Sequence, residues 1–300
     1  MIETKLVWPQ KDAQPVVLYA KTDESSTVYP LMVDSSGFLI SSPKDFMLEV
    51  SRGNVSGMMS VNKFGEAPAG VQATVTDIWD RADATPTQQI WTAPTQARIH
   101  QIVSSSASDK GVDPLGMGAR KIRIWGLTSW ATAEVSEDID LNGTTNVPTA
   151  NSYVIIHRMR VLTSGITSVN IGTIKATADT DATVTAIIRP VEGTTHMAIY
   201  GIPSTQKAYI KRWYGSINKA SGAVATINFK LAFNPEPNVR SNHFSIRSER
   251  GVQSTGTSDA DWRLDIPLEL AGPGIIKVQG IASAADIDGS AGFDLVLVDN

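Results

Sequence analysis

AVATINFKL, residues 223–231, places Ala223, Ala225, Ile227, Phe229 and Leu231 on one side of an extended chain and Val224, Thr226, Asn228 and Lys230 on the other. Successive side chains of a strand point to opposite faces, so this alternation predicts a strand with one buried face. The pattern recurs. Val135, Glu137, Ile139 and Leu141 alternate with Ser136, Asp138 and Asp140, and the pair Asn142-Gly143 that follows favours a tight hairpin turn. Leu264, Ile266, Leu268 and Leu270 alternate with Asp265, Pro267 and Glu269. Phe293, Leu295 and Leu297 interleave with Asp294, Val296 and Val298, which predicts a strand apolar on both faces, suited to a sandwich centre or a subunit contact.

The composition points the same way. The chain has 25 Val, 27 Ile and 27 Thr against 15 Leu. β-Branched side chains lose rotamer freedom in a helix but pack well on a pleated sheet, whereas a helical protein of this length would lean on Leu. No stretch combines helical spacing, caps and a length above about 12 residues, so any helix is expected to be a short turn. The fold class reads all-β: β-sandwich or jelly-roll domains, preceded by an extended N-terminal arm. The expected division is an arm over residues 1–48, a β-sandwich over 49–165 and a second over 166–300; a single interleaved sandwich is the alternative.

The arm rests on short extended pieces broken by polar turns, PVVLYAKTDES, VYPLMVDSSG and FLISSPKD. Such runs cannot build a core of their own. They are expected to add strands to a neighbouring subunit, with Val17, Tyr19, Leu31 and Val33 buried in the contact; a leading hairpin on its own domain is the other reading.

Length and charge bound the function. Three hundred residues suffice for one large or two medium domains. A formal charge of -4 gives no electrostatic attraction for nucleic acid or anionic lipid, and no apolar run reaches the roughly 20 residues of a membrane helix. The first residues carry neither a basic leader nor an apolar h-region, so export is not expected. With no cysteine, disulfides, thiolate catalysis and Cys-ligated metals are out.

Motifs for chemistry are sparse. His100, His157, His196 and His243 are far apart in sequence and indicate no metal cluster. The pairs Asp179/Asp181, Asp259/Asp261 and Asp286/Asp288 lack the Gly and terminal Glu of a calcium loop and read as solvated turns. A G-x-S-x-G elbow, a phosphate-binding P-loop and an H-E-x-x-H helix are all missing. A carboxylate pair for glycoside hydrolysis needs proximity in space, and the sequence nominates none. Seven tryptophans stand at 8, 79, 91, 125, 130, 213 and 262. Trp213 and Tyr214 are adjacent in a strand and must face opposite sides, which makes them candidate partner-contact residues. No catalytic, cofactor-binding or metal residue is expected, and no cofactor.

Taken together, SRGNVSGMMSVNKFG (51–65), IWD (78–80), IVSSSASDKG (102–111), GARKIRIWGL (118–127), DLNGTTNVPTANSYVIIHRMRV (140–161), NIGTI (170–174), MAIYGIPSTQKAYIKRWYGSI (197–217) and GFDLVLV (292–298) resemble β-rich virion structural proteins of tailed bacteriophages. The resemblance spans most of the chain beyond residue 50, and no catalytic residue carries over. It implies a non-enzymatic capsid decoration, head-fibre or tail component. Such a protein is expected to form a homo-oligomer, a trimer being favoured, and to bind the major capsid protein or other virion proteins. It is expected in the virion after assembly in the host bacterial cytoplasm. A receptor- or carbohydrate-binding module meeting a host-surface glycan is the alternative.

Overall fold

A computed structural model of the chain describes residues 19–21, 28–30, 46–80, 89–217, 224–240, 242–255 and 259–300. The chain divides into two compact units, Met1–Glu49 and Val50–Asn300. In the first, β1 (Tyr19–Lys21) pairs antiparallel with β2 (Val28–Pro30), Tyr19 opposite Pro30 and Lys21 opposite Val28. Of the arm residues singled out above, Tyr19 falls in β1, while Val17, Leu31 and Val33 lie outside the described residues. The helix α1 (Phe46–Ser51) is short and is followed by Gly53 at φ +75°, a left-handed conformation that costs glycine little.

The second unit contains two β-sandwiches, one inserted into the other. The outer sandwich begins with β3 (Met58–Val71) and β4 (Thr76–Asp77). It resumes after the insertion with β12 (Ile199–Ile202), β13 (Gln206–Ile217), β14 (Thr226–Asn234), β15 (Ser245–Gln253), β16 (Asp259–Ala271), β17 (Gly274–Ala282) and β18 (Ile287–Asp299). One sheet has the order β16-β13-β18-β3, the other β12-β17-β14-β15 with β4 on β17. Their inner faces share one core that includes Trp213, Phe293, Phe229 and Val278. The inserted sandwich consists of β5 (His100–Ser104), β6 (Ala119–Leu127), β7 (Val135–Asp140), β8 (Val147–Pro148), β9 (Ile155–Ser164), β10 (Ile174–Ala178) and β11 (Val184–Ile188). Its sheets, β11-β10-β5-β8 and β7-β6-β9, close on Ile102, Ile122, Ile124, Tyr153, Met159 and Ile187.

This nesting replaces the boundary expected near residue 165. β3 pairs with β18 from opposite ends of the unit, and β5 pairs with β10 across residue 165, so a cut there would sever two ladders. The domains are set by pairing between chain-distant strands, which local sequence composition does not report.

The four alternating segments all form strands. Ile227, Phe229 and Leu231 are buried in β14 and Ala225 just before it, while Ala223 lies outside the described residues; Ile139 in β7 and Leu141 just after it are buried too. Phe293, Leu295 and Leu297 face the outer core from β18, which lies between β13 and β3. In β16 the alternation fails at one point. Ile210 opposes Leu268 but Arg212 opposes Arg263, so residues 264–267 stand against a single residue of β13; Leu264 still packs on the outer core, while Ile266 is 87% exposed. The Asn142-Gly143 turn forms, with Gly143 at φ +59° and a bridge from Asn142 to Thr145, but it does not make a hairpin of β7. β7 pairs with β6, and the strand after the turn, β8, pairs with β5 in the facing sheet.

His100 is fully buried in the inserted sandwich, with Nδ1 3.0 Å from the Arg98 carbonyl. Burial pulls its pKa down to about 4, against the raising effects of that hydrogen bond and of Asp179 and Asp181. The unfolded chain protonates this histidine near 6.5, so stability present above that pH is lost as pH falls toward 4, about 3 kcal/mol in all. In urea denaturation at pH 7 and pH 4.5, His100→Gln is expected to lose less stability on acidification than the parent chain. Equal losses would show that His100 does not carry this dependence.

Candidate functional site at the seam between the sandwiches

The chain leaves the outer sandwich at Ile78, a member of its core, and enters the inserted one at Trp79. It returns through Ala198 and Ile199 in the same way. Entry and exit are tied together: the Ala198 amide donates to the Ile78 carbonyl at 3.0 Å and the Asp80 amide to the His196 carbonyl at 2.9 Å. β12 and β17 therefore serve both cores, Tyr200 and Ile276 facing the outer one while Ile199 and Ile275 face the inserted one. Three groups of polar side chains line this seam.

The first is buried. Asp77 on β4 accepts from Lys277 Nζ at 2.7 Å, from the Trp91 amide at 2.7 Å and from Gln279 Nε2 at 2.8 Å. Asp77 is fully enclosed and Lys277 is 1% exposed. The ammonium also lies 3.9 Å from the centre of the Phe244 ring. A buried ion pair is tolerable only when its remaining hydrogen-bonding capacity is met, and here three donors converge on one carboxylate.

The second group joins β3 to β9 and β12. Lys63 is 3% exposed and donates to the His157 carbonyl. Burial, with Arg158 nearby, holds its ammonium well below the usual lysine range. The His157 imidazole lies 4.3 Å from the Tyr200 ring, and both bond to Glu134, Tyr200 donating at 3.2 Å. Burial lowers the His157 pKa, which favours the neutral ring with Nε2–H directed at the carboxylate.

The third group surrounds Arg189. Its guanidinium bonds to Glu66, lies 3.2 Å from Glu192 Oε1 and places Nε 3.0 Å from Asp80 Oδ1. His196 faces Glu192 through Nε2 at 3.3 Å and Glu66 through Nδ1 at 3.7 Å. Burial pushes the Asp80 carboxyl up to about 7, opposed by the His196 amide and Arg189. Glu66, Glu192 and His196 present ligand atoms within 4.8 Å of one another, the spacing of a metal site. Arg189 already bridges both glutamates, and the two imidazole nitrogens face different carboxylates rather than one common point. The arrangement is that of an ion-pair network. It borders a cavity of about 590 Å³ whose walls include Lys63, Phe64, Arg158, Arg160, Glu192 and His196.

Of the aspartate pairs noted in the sequence, Asp181 and Asp286 fasten loops, whereas Asp259 and Asp261 lie in strand β16 and not in the expected turn. Asp181 holds the Thr95 amide at 2.9 Å and Arg98 at 3.1 Å, Asp261 pairs with Arg212 at 2.6 Å, and Asp286 accepts from Gln72 at 2.8 Å. Trp213 does not reach a surface: it is fully buried in the outer core, 4.4 Å from the Trp262 ring. Tyr214 faces the other way, half-buried, with Arg212 4.9 Å over its ring. Trp79, Trp91 and Trp130 are buried as well, and Trp125 and Trp262 are half-buried, so no tryptophan among the described residues stands free.

Sequence reasoning passed over Lys63, Asp77, Lys277 and Asp109. The available signal was a charge at an inward position: Lys277 stands inside the apolar run GIIKVQGI, and Lys63 shares a face with Val61 and Ala67. Asp109 lies within one of the blocks that carry the phage resemblance and gathers three of them. It accepts from Ser104 Oγ at 2.6 Å and from the amides of Ala119, Ile171 and Gly172 at 2.8–2.9 Å. Gly118 is required there, because a Cβ would stand 2.1 Å from the carboxylate.

No family model and no curated protein matches the chain. Among solved structures it is similar to infectious bursal virus derived T=1 particles, at 11% identity and a TM-score of 0.21, over 81% of this chain and 69% of that one. It is also similar to an infectious bursal disease virus VP2 subviral particle, at 10% identity and a TM-score of 0.18, over 86% and 78%. A third is the Gt strain of the same virus, at 11% identity and a TM-score of 0.19, over 81% and 72%. These are viral particle structures, and at such scores the likeness carries no argument about this chain.

Lys277→Met would leave the Asp77 carboxylate buried without its ammonium, at a cost of about 3–5 kcal/mol. Adding Asp77→Asn removes the orphaned charge and is expected to recover most of that loss in urea denaturation. A single variant within about 1 kcal/mol of the parent chain would show that the pair does not hold the seam.

Proposed function

We propose that the chain is a non-enzymatic structural component of a tailed-phage virion, a capsid decoration or head-fibre protein that works through symmetric contacts between its own copies and with the major capsid protein. The observation that supports this most is what the segments resembling phage virion proteins do in the fold. Residues 102–111, 118–127 and 170–174 meet at Asp109, and residues 78–80 and 197–217 build the seam. Their polar groups fasten backbone to backbone, which is the work of a scaffold.

Outward features fit the same reading. β16 lies at one end of its sheet and β15 at one end of the other. β16 is interrupted by its bulge and carries Asp259, Asp261, Arg263 and Asp265, while β15 carries Arg247, Glu249 and Arg250. Charges and bulges at a sheet edge discourage indiscriminate strand addition and leave association to side chains. Ile266, standing out on the bulge, is an apolar side chain of the kind a subunit contact buries.

In sedimentation velocity at micromolar concentration the purified chain is expected to run as one defined oligomer, a trimer, and purified virions should contain it in many copies. A monomer at all concentrations, together with its absence from virions, would overturn the proposal.

A further inference from the structure

We propose that the cavity bordered by β3, β9 and residues 192–196 binds an acidic saccharide, a sugar ring bearing a carboxylate or phosphate. This goes beyond particle assembly and stands independently of it. The volume of about 590 Å³ is that of a small-molecule site. The chain as a whole carries a charge of -4, yet this cavity gathers Arg158 and Arg160 against one carboxylate, Glu192, which Arg189 and His196 already pair. The excess of positive charge is local.

The two arginines differ in a way that suits recognition. Arg158 is braced, donating to the Asn62 carbonyl at 3.0 Å and lying 5.9 Å from the centre of the Trp125 ring. The Arg160 guanidinium is exposed and has no hydrogen-bond or ion-pair partner among the described residues. Its fork of N–H donors is matched to a carboxylate or phosphate. Phe64, 39% exposed and held edge-on to His196 at 5.3 Å, offers an apolar face to a sugar ring. Ser164, Ser168 and Glu192 on the walls supply donors and acceptors for ring hydroxyls. A bare anion would use only the cationic side, and a neutral sugar would leave the guanidinium unmatched.

The test is calorimetric titration of the full chain with glucuronate, N-acetylneuraminate, glucose 6-phosphate, methyl glucoside and inorganic phosphate, repeated with Arg160→Gln and Phe64→Ala. Saturable binding of a carboxylated or phosphorylated sugar is expected, about tenfold or more tighter than methyl glucoside or phosphate alone. Which acidic sugar binds identifies the anionic group. Arg160→Gln should weaken that binding about tenfold or more with an unchanged melting temperature, since the side chain is exposed, and Phe64→Ala should weaken it too. The proposal is overturned if no acidic sugar binds, if the neutral sugar binds equally well, if inorganic phosphate binds as tightly, or if neither substitution matters. Such a result would leave the assembly reading intact, because the oligomeric state does not depend on this cavity.

Discussion

The Asp77 carboxylate ties the two sandwiches together: it pairs with Lys277 inside the outer one and accepts from the amide of Trp91, a residue of the inserted core. Asp77 sits on the last strand before the chain departs to build the inserted sandwich, and Lys277 sits two hundred residues later on β17. The Trp91 amide and Gln279 complete the carboxylate's partners, and Phe244 covers the ammonium. Burying two charges costs several kcal/mol per ion before their attraction is counted, so the pair persists only because this set of partners is complete. Its geometry fixes where β4 meets β17, and with it where the chain must re-enter the outer sheet.

β17 explains why a polar pair belongs at this place. A strand with one core on each side would ordinarily be apolar throughout, as Ile275, Ile276 and Val278 are. Such a strand has no preferred register against its neighbours, because every shift buries similar surface. Lys277 and Gln279 remove that freedom, since a slip of one residue would turn both onto the outer core and leave Asp77 only the Trp91 amide. The Lys63, His157 and Glu134 group repeats the device between β3 and β9. Neither sandwich can shift without exposing or orphaning a charge.

Much of the fold was legible in the sequence, and the reasons are specific. Alternation located β14 and β18 because each has one face on a continuous core, and the excess of Ile, Val and Thr over Leu set the class. It failed at Ile266, where a bulge displaces residues that a regular strand would bury, and at Asn142-Gly143, where the turn's own bonding is satisfied but its strands belong to different sheets. The nesting was not readable, since pairing of β3 with β18 is a contact over more than two hundred residues with no local trace. Trp213 and Tyr214 were correctly placed on opposite faces, but which face met the core required the second sheet. The cavity escaped notice because Arg158 and Arg160 look like solvated charges on an edge strand until Phe64 and Glu192 are brought beside them.

Shared strands and buried charge pairs make the two hydrophobic cores one cooperative unit. Hydrogen-exchange mass spectrometry along a urea series reads each core by its own peptides, β13 and β14 for the outer sandwich, β6 and β9 for the inserted one. Both sets are expected to lose protection at one midpoint. Two clearly separated midpoints, with one sandwich still protected after the other has opened, would contradict it.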